Sequence, residues 1–294
     1  SDGSALNAKD FEYSFKRMAD VEIGAPYSGI VLEMIDGYYQ AIGEPNDEGK
    51  ATTAPNKNKL NVKASKDGKT LTVKLSYPCS YFDRIVAMAA LCPVKKSVVE
   101  KYYNAWTLKA KTFVSNGPYI FESRNDNKVV FKKNPNYVGG WDSEKIVAEK
   151  LNFLLADADA SYTAYSTGSA QLILNVPYEE LENLKKKSDF KKAAISGTYY
   201  INMNLSKAPF NNKLVRKALS LAIDREYISN VLMQGTYLPA YNLIGQGVAD
   251  GNNMFLDTAK KMNGGKTYIS SNYKSNLAEA KAALAKAGYP NGKG

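Results

Sequence analysis

Residues Gly197 to Ile228 read GTYYINMNLSKAPFNNKLVRKALSLAIDREYI. The first third alternates: Tyr199, Ile201, Met203 and Leu205 lie on one side, Tyr200, Asn202 and Asn204 on the other. That is the period of a strand with one buried face. The opposite face offers a ring and amides instead of charges, and such groups can read a ligand. After the loop Ser206-Lys207-Ala208-Pro209-Phe210, Asn212 is placed to cap a helix. Leu214, Ala218, Leu221 and Ala222 recur there at helical spacing, with Arg216 and Arg225 on other faces. Pattern alone fits a ligand-reading strand and an ordinary strand-loop-helix equally.

Working outward, 294 residues suit about two domains of ordinary size. Apolar residues at 44% and charged residues at 23% predict a folded globular chain. No apolar run approaches the roughly 20 residues that span a bilayer, and no secretory leader pattern opens the sequence. Both ends are turn-like, Ser1-Asp2-Gly3 and Asn291-Gly292-Lys293-Gly294, as expected of a piece cut from a longer precursor. The net charge of +10 invites nucleic acid, anionic lipid or acidic polymer as partners. The basic residues are scattered and overwhelmingly lysine, without an aromatic-and-arginine groove, which argues against nucleic acid.

There is no histidine. This removes Ser-His-Asp and Cys-His nucleophile systems and imidazole-based metal sites. Two cysteines, Cys79 and Cys92, make no metal site by themselves; a helix expected between them favours buried thiols over a disulfide. The adjacent acids Asp157 with Asp159 and Glu179 with Glu180 are the only basis for an enzyme, and such pairs are usually caps or solvated faces. No catalytic residue, metal site or cofactor is therefore expected.

Along the chain, Asn7 and Asp10 have capping-box spacing, with Phe11, Phe15 and Met18 on one helix face. Leu60 to Ala64 and Thr70 to Leu75 alternate around an Asp67-Gly68 turn, predicting a hairpin. A helix is expected over Ser80 to Ala90, with Phe82, Ile85, Val86 and Ala89 inward. A second hairpin is expected from Tyr119 to Glu122 and Val129 to Lys132, turning at Asn125-Asp126-Asn127. Strand Glu149 to Leu154, helix Ala158 to Thr167 and strand Gln171 to Leu174 suggest an α/β unit, followed by a helix from Pro177 to Lys187. Gly245 to Gly265 reads as a long loop, and Asn276 to Ala287 as a helix stopped by Gly288 and Pro290.

Several of these stretches carry a resemblance. Pro209-Phe210-Asn211, Val215-Arg216-Lys217-Ala218-Leu219 and Ala222-Ile223-Asp224-Arg225 together resemble the central signature of the extracytoplasmic solute-binding proteins of peptide ABC transporters. So do Ala8 to Ser14, the turn Ala25-Pro26-Tyr27-Ser28, and Asn116-Gly117-Pro118-Tyr119 followed by Asn134-Pro135-Asn136-Tyr137. The segments Gly235 to Ala240 and Ala280 to Pro290 match as well. One departure stands out. Relatives place a tryptophan directly after that last tyrosine, whereas here Val138 stands there and Trp141 comes three later.

The resemblance implies an α/β, periplasmic-binding-protein-like (type II) fold with incomplete lobes plus an additional α+β domain. Residues 1–92 would supply part of the additional domain, 93–196 part of the first lobe, and 197–294 a hinge strand and the start of the second lobe. It implies an extracytoplasmic substrate-binding component of an ABC importer, not an enzyme, binding an oligopeptide between two closing lobes. Ligand-contact candidates carried over are Tyr27, Met88, Asn175, Tyr200 and Asn202. For each the bland alternative is packing: a turn for Tyr27 and Asn175, core for Met88. The helix with Arg225 is expected to build the second lobe and touch no ligand. Membrane permease subunits are the implied protein partner, with no nucleic acid and a monomeric state. The implied location is the periplasm or, through a lipid anchor absent from this chain, the cell surface. The alternatives are the same fold binding an oligosaccharide or metal chelate, a non-transport hydrolase, and a basic adhesion or scaffold protein showing salt-sensitive binding to anionic polymer.

Overall fold

The computed structural model describes residues 2–137, 139, 148–174, 176–193 and 195–292. The chain divides into two compact units, 1–156 and 157–294.

In the first unit, helix α1 (Ala8–Met18) begins on the expected capping box. Asn7 Oδ1 accepts from the Lys9 N–H at 2.9 Å, and Asp10 Oδ2 from the Asn7 N–H at 3.0 Å. Phe15 and Met18 meet Val31 and Leu32 of α2 (Ser28–Leu32), Ala41 of α3 (Tyr38–Ile42), and Ile35, Leu60 and Val62. Val31, Leu32, Ile35 and Val62 have no exposed surface, so truncating any of them would cost on the order of 2–5 kcal/mol. The hairpin β1 (Val62–Ala64) and β2 (Leu71–Val73) pairs antiparallel. Its turn glycine, Gly68 at φ +73°, accepts from the Ala8 N–H at 2.8 Å, which ties the hairpin tip to the start of α1.

The helix expected over Ser80 to Ala90 is shorter: α4 (Phe82–Val86) and then a 3-10 turn, Ala89–Leu91. Met88 takes an extended backbone (ψ 138°), which ends the helix. Phe82 and Ile85 pack inward as expected, whereas Val86 and Ala89 are exposed. Both cysteines are free. Cys79 is half-buried with its Sγ 3.8 Å from the Met34 Sδ, but Cys92, next to the buried Leu91, is exposed and is not the buried thiol expected.

After α5 (Lys96–Tyr102) comes a three-stranded antiparallel sheet: β3 (Tyr119–Arg124), β4 (Lys128–Lys133) and β5 (Lys150–Leu154). The predicted hairpin is there, with a bulge between Phe121 and Ser123. Rings from Trp106 through Phe113, Phe121 and Phe131 to Phe153 follow one another at centroid spacings of 5.5, 5.6, 5.8 and 5.8 Å. Asn134 is buried and joins the two resembling motifs. Its Nδ2 donates to the Gly117 carbonyl at 2.9 Å, its N–H to the Pro118 carbonyl at 2.8 Å, and its Oδ1 accepts from the Asn136 N–H at 3.0 Å. Val138 and Trp141 lie outside the described residues.

In the second unit, α6 (Ala158–Ser166) is capped by Asp157, whose Oδ1 accepts from the Ala160 N–H at 2.9 Å. The strand expected over Gln171 to Leu174 does not form; Leu172 and Leu174 are 76% and 87% exposed, with no ladder partner among the described residues. With that strand missing, the expected strand-helix-strand unit is absent among the described residues. The helix expected from Pro177 resolves into a 3-10 turn, Tyr178–Glu180, and α7 (Leu181–Leu184), with Leu181 and Leu184 buried.

Tyr199 to Leu205 likewise forms no strand, and Tyr199, Ile201 and Leu205 are 88%, 70% and 58% exposed. The alternation is real in sequence, but a strand also needs a neighbour to complete its ladder. No residue from Tyr199 to Met203 makes a backbone–backbone hydrogen bond among the described residues. Helix α8 (Lys213–Ala222) starts on Asn212, whose Oδ1 accepts from the Leu214 N–H at 2.9 Å. Its buried stripe is Val215, Ala218 and Leu221, rotated from the expected Leu214 and Ala222. The short helix α9 (Arg225–Tyr227) leads into a π-turn, Ile228–Leu232. The stretch expected as a long loop instead holds the tiny hairpin β6 (Ala249–Asp250) and β7 (Asn253–Met254) and helix α10 (Phe255–Met262). The last helix, α11 (Tyr273–Lys286), packs Ala280 and Ala283 against Ala218 and Leu221 of α8.

Candidate functional site

The second unit holds a cavity of about 500 Å³ whose lining is mainly apolar. One wall is the segment with Tyr199, Tyr200 and Ile201; others are Ile223 and Ile228 near α9 and the run Tyr237 to Leu243. Its size falls in the range that ligand sites occupy, although Tyr199, Ile201 and Leu243 of its lining are largely exposed.

Its framework is set by Arg225. The Asp224 cap positions α9, with its Oδ1 accepting from the Tyr227 N–H at 2.9 Å. The Arg225 guanidinium then donates to three backbone oxygens: Ala240 at 2.7 Å, Ser220 at 2.9 Å and Ile223 at 3.1 Å. Ser220 and Ile223 lie at the C-terminal end of α8, where the helix dipole favours a cation. Burial lowers the arginine's affinity for its proton from the usual range, but a guanidinium stays charged at any physiological pH. Carbonyl oxygens thus hold this side chain in place of a carboxylate.

Tyrosines complete the walls. Tyr199 and Tyr237 meet edge to face with centroids 5.6 Å apart. The Tyr237 phenol is raised above its ordinary range, chiefly by the neighbouring Tyr199. The Tyr241 hydroxyl donates to the Glu226 carboxylate, and burial, followed by that hydrogen bond, pushes its pKa up to about 12. Both phenols therefore stay neutral donors near neutrality. The buried Ser229 hydroxyl donates to the Tyr237 carbonyl, which fixes the start of this wall on the π-turn. Gly235, at φ +72°, turns the chain between them, its N–H donating to the Ser229 carbonyl at 2.7 Å.

Of the residues singled out in the sequence, Tyr200 lines this cavity and is 65% exposed. Asn202 is exposed two residues along, outside the lining. Tyr27 and Met88 belong to the first unit. Tyr27 is 51% exposed at the start of α2, and Met88 packs against the first unit's core. Asn175 lies outside the described residues. Arg225, Tyr237 and Tyr241 were not expected at a site. Arg225 was legible only as the end of a signature, and nothing in the periodicity of Leu238 to Leu243 marks the tyrosines as wall-forming. No group of three or more His, Cys, Asp or Glu capable of holding a metal ion occurs among the described residues. Asp157 is spent on a cap, and Glu180 accepts from the Tyr162 hydroxyl at 3.1 Å.

With this geometry in place, the chain can be set beside known proteins. It belongs to the bacterial extracellular solute-binding proteins, family 5, the family's middle segment matching residues 1–294. Among curated relatives, the periplasmic oligopeptide-binding protein OppA of Salmonella typhimurium is 34% identical over 249 residues, covering 82% of this chain and 43% of that protein. The dipeptide-binding protein DppE of Bacillus subtilis is 29% identical over 249 residues, 84% of this chain and 43% of its own length. Among solved structures, OppA of Burkholderia pseudomallei superposes with a TM-score of 0.76 at 28% identity, over 99% of this chain and 53% of that one. The fold is thus the type II periplasmic-binding-protein fold inferred from the signatures, mixed helix and sheet. The chain spans about half the length of the relatives it matches.

Proposed function

We propose that the complete protein is the extracytoplasmic substrate-binding component of an ABC importer and that its ligand is an oligopeptide. The observation that carries this reading is the match of residues 1–294 to the family's middle segment, reinforced by 34% identity to an oligopeptide-binding relative. The tyrosine-walled cavity is consistent with it. Neutral phenols and aliphatic walls accept varied side chains, while an extended peptide can be held through its main chain without regard to sequence.

In this reading residues 1–92 are part of the additional domain, 93–196 part of the first lobe, and 197–294 the hinge segment and start of the second lobe. The backbone from Tyr199 to Met203, without a ladder partner among the described residues, then takes its partner from the remaining half of the protein. Tyr27, Met88, Asn175, Tyr200 and Asn202 are its proposed ligand contacts. The protein works as a monomer, tethered by a lipid anchor or free in the periplasm, and delivers ligand to permease subunits. It catalyses no reaction.

Native mass spectrometry of the full-length protein, followed by denaturing release, tests the ligand class. Peptides of several sequences but similar length are expected to be released. Release of a glycan or a metal chelate alone would overturn the proposal.

A further inference from the structure

A second groove in the 157–294 unit, about 1080 Å³, has a different character. Lys213, Arg216 and Lys217 of α8, Lys260 of α10 and Lys266 line it, against a single carboxylate, Glu279 of α11. Among the described residues, Lys217 is the one groove cation in an ion pair, with Glu279. The Arg216 guanidinium donates to the carbonyls of Phe210 at 2.7 Å and Asn211 at 3.2 Å, which fixes it without cancelling its charge. Lys213, Lys260 and Lys266 have no carboxylate within ion-pair distance among the described residues.

This arrangement works against the stability of α8. Lys213 and Arg216 sit in the first turn, where the helix dipole disfavours cations, and that turn holds no acid. Like charges converging on one groove also repel one another. The lysines are exposed and solvated, but they converge on one groove, and an anion there would relieve both penalties. The walls also carry hydroxyl donors: Ser271 and Ser275 line the groove, and neither hydroxyl has a hydrogen bond among the described residues. Lysine ammonium groups with serine hydroxyls suit phosphate oxygens. The groove is concave and several charges long, which fits a flexible chain better than the flat surface of a bilayer.

We propose that this groove binds a linear phosphate-bearing polyanion, independently of the peptide cavity. The contacts are charge-assisted and multivalent, so binding weakens as salt rises and a single phosphate gains little.

The test uses the full-length protein with medium-length sodium polyphosphate, read by fluorescence anisotropy of labelled polymer. Replacing Lys213, Lys260 and Lys266 together by Gln is expected to weaken binding roughly 30-fold and to flatten its salt dependence. A control replacing Lys59, Lys63 and Lys66 by Gln changes net charge equally and is expected to shift binding by less than about twofold. Glu279→Gln removes the one carboxylate and frees Lys217, so it is expected to tighten binding. Thermal melts of each variant establish that it is folded. Equal losses in the two triple variants would reduce the effect to net charge and overturn the proposal. Polyphosphate binding no tighter than that of orthophosphate would also overturn it, as would groove-dependent binding to phosphatidylglycerol vesicles without binding to polyphosphate.

Discussion

Arg225 donates through its Nε to the carbonyl oxygen of Ala240 across 2.7 Å, fastening the end of α8 to the wall of the tyrosine-lined cavity. One side chain thereby closes the C-terminal end of a helix and fixes a loop fifteen residues on. Hydrogen bonds to a charged donor contribute about 1.5–3 kcal/mol each when the partner oxygens are otherwise buried. Arg225→Met should therefore destabilise the protein by about 3 kcal/mol in urea unfolding. Arg225→Lys should recover less than half of that, because an ammonium cannot reach Ala240 and Ser220 with the same fork.

Asn134 makes a second such junction, in the first unit. Its side chain bonds the Gly117 carbonyl and the Asn136 N–H, and only 1% of its surface is exposed. Asn134→Ala would remove the donor to the Gly117 carbonyl and one acceptor of the Asn136 N–H in a confined space. A loss of about 2–3 kcal/mol is expected by chemical denaturation. Asn134→Asp should be as damaging, since a carboxylate cannot donate to Gly117.

Gly37 takes φ +83°, and a Cβ there would stand 2.1 Å from the Lys59 carbonyl oxygen. Backbone strain and a clash with rigid main chain act together. Gly37→Ala should cost about 3 kcal/mol or more and lower the melting midpoint accordingly. Gly49→Ala, at φ +76° with open space around it, should show the strain cost alone, about 1 kcal/mol.

The Tyr241 phenol gives a pH signature. Its pKa rises from 10.0 to about 12, first through burial and then through its bond to Glu226. A raised pKa in the folded protein favours the neutral form. The stabilisation from this group is therefore complete below pH 10 and lost as pH climbs towards 12. In an ultraviolet tyrosinate titration, Tyr241→Phe should remove the ionisation near pH 12, while other raised phenols such as Tyr237 still titrate above their ordinary range.

How much of this was legible in the sequence depended on whether the controlling interaction was local. The Asn7–Asp10 cap, the Asp67-Gly68 turn and the Asn212 cap are each decided within a few residues, and all three stand where the pattern put them. Tyr199 to Leu205 and Gln171 to Leu174 alternate or run apolar like strands, yet a ladder needs a distant neighbour, which periodicity cannot supply. Helix α10 was hidden because Gly251, Gly264 and Gly265 flank it and made the whole stretch look like loop. At the cavity, Tyr200 was singled out for the polar face of an expected strand; it lines the cavity, but the strand does not form and its neighbours Tyr199 and Ile201 line the cavity as well. Arg225, Tyr237 and Tyr241 were not singled out, because their roles come from contacts to Ala240, Tyr199 and Glu226.

Calorimetric titration of the full-length protein with a pool of tri- to pentapeptides bears most directly on the proposed function. Saturable binding near one peptide per chain is predicted, weakened about tenfold in Tyr200→Ala by loss of an aromatic wall. No heat with any peptide, alongside a saturable signal with an oligosaccharide or a metal chelate, would contradict it.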